Sequence, residues 1–188
     1  MIKIYKDCLH KDLIKNIFTY LKFYSNKDVW GSSFYWNDAS NPNSSNIITH
    51  EIGNKSLINF IKKNIEDIIN INFDEEKLLF IPMIYIWSSG SYLSWHNDDP
   101  YPYNGTIYLN TEWDSNNGGI FLYKDNKNKT IIGVEPKYND MIVNTSSEKD
   151  PHNLHCVTCI PSFVNKKRIT LQWRTVHNEN VKNYYTYE

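Results

Sequence analysis

Two stretches in the first part of the chain repeat their apolar residues every three or four positions, which is the spacing of an amphipathic helix. The first stretch comprises Leu13, Ile14, Ile17, Phe18 and Leu21. The second comprises Leu57, Ile58, Ile61, Ile65, Ile68 and Ile69. Asn54 and Ser56 are candidate caps for the second helix, and Ile2 and Ile4 predict a short strand before the first.

Between the two predicted helices, residues 25–47 contain Gly, Ser, Asn, Asp and Pro around the aromatic residues Trp30, Phe34, Tyr35 and Trp36. This composition predicts an irregular segment with buried aromatic side chains. A long stretch without regular structure inside a compact domain often covers a functional site. We interpret it either as a lid or substrate wall, or as plain packing.

From Leu78 onward the pattern changes to short runs of β-branched and aromatic residues, separated by turn residues. The predicted strands are Leu78–Trp87, Ser91–Asn97, Gly105–Asn110, Gly119–Tyr123, Thr130–Val134, Asp140–Asn144, His155–Cys159 and Arg168–Thr175. Two helices followed by these strands predict a mainly β fold, an antiparallel jelly roll with the N-terminal helices packed on one sheet. We expect one domain over residues 1–188, with helical support and the irregular segment in 1–77 and the jelly-roll core in 78–176.

Composition and charge narrow the possible partners. The chain has 188 residues, of which 40% are hydrophobic and 15% aromatic, which suffices for an ordered core. A formal net charge of -1 argues against a nucleic-acid partner bound through counterion release, although it leaves a nucleic-acid-modifying enzyme open. The N-terminus lacks a signal-peptide core, the longest apolar run is too short to span a bilayer, and the three cysteines fit a reducing compartment. A cytoplasmic protein without a membrane partner is expected.

His96 and Asp98 are two residues apart in a strand-like run, and on a strand both side chains would lie on the same face. Two histidines and one carboxylate form the facial triad that holds Fe(II) and leaves coordination positions open. Alone, this pair is a weak signal that also suits a solvated strand edge. His155 downstream is the preferred third ligand over His152, because it begins an apolar-alternating run that would hold it rigidly.

Cys156 and Cys159 form a C-x-x-C pattern. A structural zinc site needs a second pair or histidine partners, and a redox motif needs a strand-to-helix setting, and neither is evident. We expect two small buried side chains, with Cys156 on the opposite face from His155.

The last predicted strand alternates polar and apolar residues. Arg168, Thr170, Gln172 and Arg174 share one face, while the other face is apolar. If the polar face looks to solvent, this is an ordinary half-exposed strand. If it looks into the jelly roll, the arginines need anionic partners, because an unpaired buried guanidinium is costly. A dicarboxylate co-substrate would supply them.

The segment from Leu78 to Arg174 resembles the 2-oxoglutarate/Fe(II) dioxygenases, especially their prolyl-hydroxylase branch, which includes the hypoxia-factor prolyl hydroxylases. The matching motifs, in family order, are Ser91–Asp98, Gly105–Asn110, Trp113, Gly118-Gly119, Glu135-Pro136-Lys137, His155-Cys156-Val157 and Arg168. The resemblance implies a double-stranded β-helix with Fe(II) bound by His96, Asp98 and His155.

The same resemblance implies the co-substrate site. The distal carboxylate of 2-oxoglutarate would pair with Arg168, assisted by Tyr108, while Tyr85 matches a pocket tyrosine and Thr170 shares the polar face. The implied cofactors are Fe(II), 2-oxoglutarate and O2, with ascorbate as a candidate stimulant. The implied reaction is oxidative decarboxylation of 2-oxoglutarate to succinate and CO2, coupled to hydroxylation of a C–H bond.

Two departures from the prolyl-hydroxylase pattern leave alternatives open. The interval from His155 to Arg168 is longer than usual in that branch, so Lys166 or Lys167 is a rival partner for the co-substrate carboxylate. Arg174 stands where an aromatic residue is usual, and Arg-x5-Arg resembles the AlkB-type nucleic-acid demethylases. We expect Arg174 to contact the iron-bound carboxylate end or an acidic group of the substrate, the alternative being a surface ion pair.

The expected function is hydroxylation of a peptidyl residue or of a small amino-acid-like substrate. Two alternatives remain at this stage, an AlkB-like oxidative nucleic-acid demethylase and a non-catalytic jelly-roll binding module. Fold alone does not choose among them.

Overall fold

The computed structural model describes residues 1–25, 27, 30–32, 44–45, 47–98, 101–125, 127–145 and 154–180. Their helices and strands are β1 (Ile2–Tyr5), α1 (Lys11–Tyr24), β2 (Gly31–Ser32), β3 (Ile48–Glu51), α2 (Lys55–Ile69), β4 (Leu78–Trp87), β5 (Leu93–His96), β6 (Tyr103–Tyr108), β7 (Phe121–Asp125), β8 (Thr130–Val134), β9 (Met141–Thr145), β10 (His155–Val157) and β11 (Arg168–His177). Two 3-10 turns lie at Ser115–Asn117 and Asn178–Asn180.

The strands form two antiparallel sheets that enclose a cavity. The large sheet has the order β1-β9-β6-β11-β4-β3-β2, and the small sheet has the order β5-β10-β7-β8. Side chains from both sheets line the space between them. The predicted jelly roll is therefore confirmed, and every strand predicted from Leu78 onward is present.

Both helices pack on the outer face of the large sheet. Leu13 and Ile17 of α1 and Ile61 and Ile65 of α2 are completely buried, in one cluster with apolar residues of β4, β6, β9 and β11. The predicted cap of α2 is confirmed, because the Asn54 side chain accepts a hydrogen bond of 3.0 Å from the Leu57 N–H. The helices thus cover one face of the sheet and leave the other for the cavity.

Strand β11 shows which of its faces is internal. It pairs with β4 along its whole length and with β6 over five residues. Leu171 and Trp173 pack toward the helices, whereas Arg168 is 1% exposed and Thr170 fully buried on the opposite side. The polar face therefore looks into the jelly roll, and the half-exposed alternative is wrong.

Some expectations concern residues outside or at the edge of the described part of the chain. Of the aromatic residues in the irregular segment, Phe34, Tyr35 and Trp36 lie outside the described residues, while the Trp30 Nε1–H donates to the Tyr24 carbonyl at 2.9 Å. Cys156 is buried as expected, but the expectation for Cys159 is wrong, because β10 ends at Val157 and Cys159 is exposed. No helix among the described residues is long and apolar enough to cross a membrane.

Candidate metal centre and its cavity

Two neighbouring strands of the small sheet bring the three proposed metal ligands together. β5 ends at His96, Asp98 follows two residues later, and β10 begins with His155 directly opposite His96. The Asp98 carboxylate lies 3.6 Å from His96 Nε2 through Oδ1 and 3.2 Å from His155 Nε2 through Oδ2. Ligand atoms of the three residues all lie within 4.8 Å of one another.

Neighbouring groups hold these side chains in a ligating orientation. The His96 Nδ1–H donates to the Ser94 carbonyl at 2.6 Å, which leaves Nε2 unprotonated and turned toward Asp98. The ring of Phe121 stacks on His155 with 5.0 Å between ring centroids. The Asn144 side-chain amide donates to Asp98 Oδ2 at 3.2 Å. Each ligand is therefore fixed by a second residue before any metal enters.

The electrostatics favour the protonation states that bind a cation. Burial, followed by the neighbouring His155, lowers the pKa of His96 below its ordinary value, although Asp98 opposes the shift. Burial alone would raise the pKa of Asp98, but its hydrogen bond to His155 and the nearby histidines hold that pKa below the ordinary value. Neutral imidazole and ionised carboxylate are the forms that ligate a metal.

The donor set fits Fe(II). Two imidazole nitrogens and one carboxylate oxygen, presented from one side, leave the remaining octahedral positions open to the cavity. A closed structural zinc site would instead need a fourth protein ligand. The geometry therefore matches the facial triad expected from the sequence.

Arg168 lies deep in the cavity, and no acidic side chain among the described residues pairs with it. Its guanidinium carbon is 4.7 Å from the Trp87 ring centroid and 5.1 Å from that of Tyr108. Its Nε and Nη1 atoms and the Tyr108 hydroxyl are buried without hydrogen-bond partners among the described residues. Burial lowers the pKa of Arg168 and raises the pKa of Tyr108, so both charged forms are disfavoured in this pocket. A carboxylate entering from the cavity would satisfy these donors, as the distal end of 2-oxoglutarate requires.

The second glycine of the Gly118-Gly119 motif makes room for this arginine. Gly119 has φ +67°, and a Cβ at this position would lie 2.9 Å from Arg168 Cδ. The Trp113 Nε1–H donates to the Gly118 carbonyl at 3.0 Å and anchors the turn. The turn therefore needs glycine at position 119 both for its backbone conformation and for the close approach of Arg168.

The other residues expected at the co-substrate site take different places. Tyr85 is buried and lines the cavity. Thr170 lies behind Trp87, whose Nε1–H donates to the threonine hydroxyl at 3.1 Å, so its contact with the co-substrate would be indirect. Arg174 is half-buried and lines the same cavity, six residues further along β11 than Arg168.

The rival residues are not in the cavity. Lys167 is exposed, and its Nζ donates to the Ser88 hydroxyl at 2.9 Å. Lys166 is also exposed, with its Nζ 3.8 Å from a carboxylate oxygen of Glu112. These positions contradict the alternative in which Lys166 or Lys167, rather than Arg168, pairs with the carboxylate of the co-substrate. His152, the rival metal ligand, lies outside the described residues.

Sequence reasoning missed three polar features of the cavity. It did not single out Asn144, which holds Asp98, or Asn104, whose amide nitrogen is buried in the cavity wall. It also missed that the indole of Trp87 connects Arg168 with Thr170. The available signal was the position of Asn144 near the end of an otherwise apolar strand, where a polar side chain needs a partner.

The fold and the candidate triad are together typical of the mononuclear non-haem iron oxygenases of the double-stranded β-helix class. The model of the family described as the 2OG-Fe(II) oxygenase superfamily matches residues 82–174, a range that contains all three proposed ligands and Arg168. The matched segment belongs to this superfamily, and the protein is a dioxygenase whose family cofactors are Fe(II), 2-oxoglutarate and O2. No curated protein matches the sequence significantly.

Several solved prolyl hydroxylases share the fold. A Pseudomonas putida prolyl-4-hydroxylase is 14% identical, with a TM-score of 0.66 and coverage of 93% of this chain and 91% of that one. A Trichoplax adhaerens prolyl hydroxylase, solved with a hypoxia inducible factor peptide fragment, is 13% identical, with a TM-score of 0.72 and coverage of 97% and 86%. The viral collagen prolyl hydroxylase of Paramecium Bursaria Chlorella virus-1 is 15% identical, with a TM-score of 0.60 and coverage of 93% and 94%. At these identities the likeness concerns the fold.

Proposed function

We propose that this protein hydroxylates a C–H bond of a peptidyl residue, in the manner of a prolyl hydroxylase, or of a small amino-acid-like substrate. His96, Asp98 and His155 would hold the Fe(II). The observation that carries the proposal is one cavity that has the clustered ligand atoms in its wall and the buried guanidinium of Arg168 at one end, with no acidic partner for this guanidinium among the described residues.

Each cavity residue has a defined task in this reaction. When bound, Fe(II) and 2-oxoglutarate supply the oxidising chemistry, in which one oxygen atom of O2 enters succinate, the other enters the substrate, and CO2 leaves. Arg168 and Tyr108 orient the distal carboxylate of 2-oxoglutarate through charge-assisted hydrogen bonds. Asn144 and Phe121 hold Asp98 and His155 in place, as second partners of metal ligands commonly do.

The remaining wall of the cavity excludes water from the reacting atoms. Leu93 and Val157 of the small sheet are buried beside the proposed ligands, and Trp87 covers Arg168. An apolar wall strengthens the electrostatic interactions within the site and limits side reactions with water. Uncoupled decomposition of 2-oxoglutarate should therefore be slow relative to turnover with substrate.

The substrate class is supported by fold similarity and by charge. Several of the similar solved structures are prolyl hydroxylases, and one of them contains a peptide. The net charge of -1 gives no general attraction for a nucleic-acid backbone and so argues against the demethylase alternative, which the Arg-x5-Arg spacing of Arg168 and Arg174 supports.

Turnover with defined substrates tests the proposal. Protein loaded with Fe(II) would be given 2-oxoglutarate, O2 and, separately, proline-containing peptides, free amino acids or alkylated oligonucleotides. We expect a peptide or amino acid to stimulate succinate formation and to gain one oxygen atom by mass spectrometry. The Asp98→Ala protein should form neither product. Succinate formation stimulated only by alkylated oligonucleotides would contradict the proposed substrate class.

A further inference from the structure

The cavity is closed at its Arg168 end and becomes more accessible along β11 and β6. Arg168 and Thr170 at the start of β11 are almost fully buried, as is Tyr108 at the end of β6. Further along the same strand faces, Gln172 and Asn104 line the cavity and are only half-buried. A primary substrate that enters after 2-oxoglutarate would therefore meet the half-buried residues first.

Asn104 lies at this accessible end and in the same row of the large sheet as the support of the candidate metal centre. The strand register places Asn104 of β6 opposite Asn144 of β9, and the Asn144 side-chain amide donates to Asp98. Opposite residues of antiparallel strands have Cα atoms about 4.5–5.5 Å apart. A group bound to Asn104 would thus lie one strand away from the residue that holds a proposed metal ligand.

The side-chain amide nitrogen of Asn104 is a hydrogen-bond donor whose acceptor is missing among the described residues. Nδ2 is buried in the cavity wall, and no described residue accepts a hydrogen bond from it. A buried donor without an acceptor costs free energy that a bound acceptor would recover. The position therefore favours a ligand that presents an acceptor to Asn104.

The other polar groups around Asn104 are neutral or are held by other side chains. Thr106 is the next residue on the same face of β6, and Gln172 is directly opposite Thr106. Arg174 is opposite Asn104, but its Nη1 donates to the Tyr101 hydroxyl at 3.1 Å. Recognition by Asn104 would therefore work through neutral hydrogen bonds.

A carboxamide side chain carries a donor and an acceptor side by side, and this limits the groups that it fits. In Asn104, Nδ2 donates and Oδ1 accepts. An amide of a ligand offers a carbonyl oxygen and an N–H, so it can satisfy both atoms. An ester or a carboxylate offers acceptors only and would set a lone pair against Oδ1. A carboxylate would also lose more hydration on burial than a neutral amide.

We propose that Asn104 determines substrate specificity by pairing with an amide group of the primary substrate, close to the carbon that is hydroxylated. The proposal rests on the proposed function and names the chemical group that the same site recognises. Two sources share this chemistry. One is a backbone peptide bond, and the other is the side-chain carboxamide of asparagine or glutamine.

Matched ligand pairs test this inference without turnover. Protein loaded with Fe(II) and 2-oxoglutarate in the absence of O2 would be titrated calorimetrically with two panels. The first compares N-acetylated peptides, including proline-containing ones, with analogues in which an ester replaces one peptide bond. The second compares free asparagine and glutamine with aspartate and glutamate.

Three variants separate recognition from folding. Asn104→Leu keeps a similar side-chain shape but removes both polar atoms, and Asn104→Gln keeps both atoms on a longer stem. Asn16→Leu is the matched control, because Asn16 is exposed on α1. Without a ligand, Asn104→Leu should be at least as stable as wild type in thermal unfolding, because it removes a buried donor that has no acceptor among the described residues.

In the wild-type protein, at least one amide ligand should bind about tenfold or more tightly than its ester or acid, as two neutral hydrogen bonds predict. Asn104→Leu should reduce this preference to about twofold or less. Asn104→Gln should retain part of it, and Asn16→Leu should match wild type. The panel that contains the amide-dependent ligand identifies the source of the amide.

A wild-type protein that prefers no amide in either panel would overturn the inference. A preference that is unchanged in Asn104→Leu would overturn it as well, and so would a preference for the acids that disappears in this variant. If Asn104→Leu does not fold, a full preference in Asn104→Gln would count against the inference and a reduced one would support it. Failure of the proposed function has a different signature, namely a wild-type protein that binds no Fe(II) or forms no succinate with any substrate.

Discussion

Replacing Arg168 with methionine should leave the protein without co-substrate at least as stable as wild type. Two buried guanidinium nitrogens have no hydrogen-bond partner among the described residues, which together costs roughly 2–6 kcal/mol of stability. The contacts of the guanidinium with the Trp87 and Tyr108 rings stabilise the folded state by roughly 1–4 kcal/mol. Methionine keeps much of the packing and removes the charge, so we expect a change between about zero and a few kcal/mol toward greater stability.

The same substitution should abolish most of the stabilisation by 2-oxoglutarate. At a concentration one hundred times its dissociation constant, a ligand stabilises the folded state by about 2.7 kcal/mol. For a domain of this size, this corresponds to a rise in Tm of roughly 5–10 °C. A hundredfold loss of affinity would leave about 0.4 kcal/mol, or roughly 1–2 °C.

Thermal unfolding of the Fe(II)-loaded protein without O2, with and without 2-oxoglutarate, measures both effects. Lys167→Met is the matched control, because Lys167 donates to Ser88 on the surface and its loss should leave the full ligand-induced rise in Tm. The reasoning fails if Arg168→Met keeps that rise. It also fails if the ligand-free Arg168→Met protein is several kcal/mol less stable than wild type, since the guanidinium would then stabilise the fold.

Three further predictions concern the ligands, the glycine turn and a buried thiol. His155→Ala should abolish Fe(II) binding in an anaerobic titration while His152→Ala retains it, and the reverse result would reassign the third ligand. Gly119→Ala should weaken 2-oxoglutarate binding but not Fe(II) binding, because the new Cβ meets Arg168 Cδ, and equal 2-oxoglutarate affinity would contradict this. Burial raises the pKa of Cys8 to about 12 from 9.0, so the folded state holds this proton more tightly than the unfolded state. The stabilisation from this proton is complete below pH 9.0 and is lost as the pH rises toward 12. Cys8→Ala should therefore reduce the loss of unfolding free energy at alkaline pH, as measured by denaturant unfolding. Curves of unfolding free energy against pH that run parallel for the variant and wild type would refute the prediction.

The sequence predicts which residues share each face of β11, but it does not predict which face is turned into the cavity. Alternation separates Arg168 and Arg174 from Leu171 and Trp173 in any strand. Which set is internal depends on where the helices pack, because an amphipathic helix covers whichever sheet face can bury its apolar stripe. Here α1 and α2 cover the face with Leu171 and Trp173, so the arginines are turned into the cavity.

The triad was predictable because two of its members are close in sequence and the third begins a strand. The contact of Asn144 with Asp98 was not, since these residues are 46 positions apart and meet only through the pairing of several strands. The hydrogen bond between Trp87 and Thr170 spans 83 positions and has the same limitation. Local periodicity fixes the face of a side chain, whereas its partner depends on the register of distant strands.

The two lysines before Arg168 show where the alternation of side chains between the two faces of a strand ends. By parity, Lys166 would share the face of Arg168 if the strand extended that far. However, β11 begins at Arg168, opposite Trp87, so the chain before it is free of the sheet register. Both lysines are therefore exposed, whereas Arg168 is positioned by its pairing with Trp87 of β4. A longer hairpin between His155 and Arg168 changes the surface of the protein without moving the cation that faces the cavity.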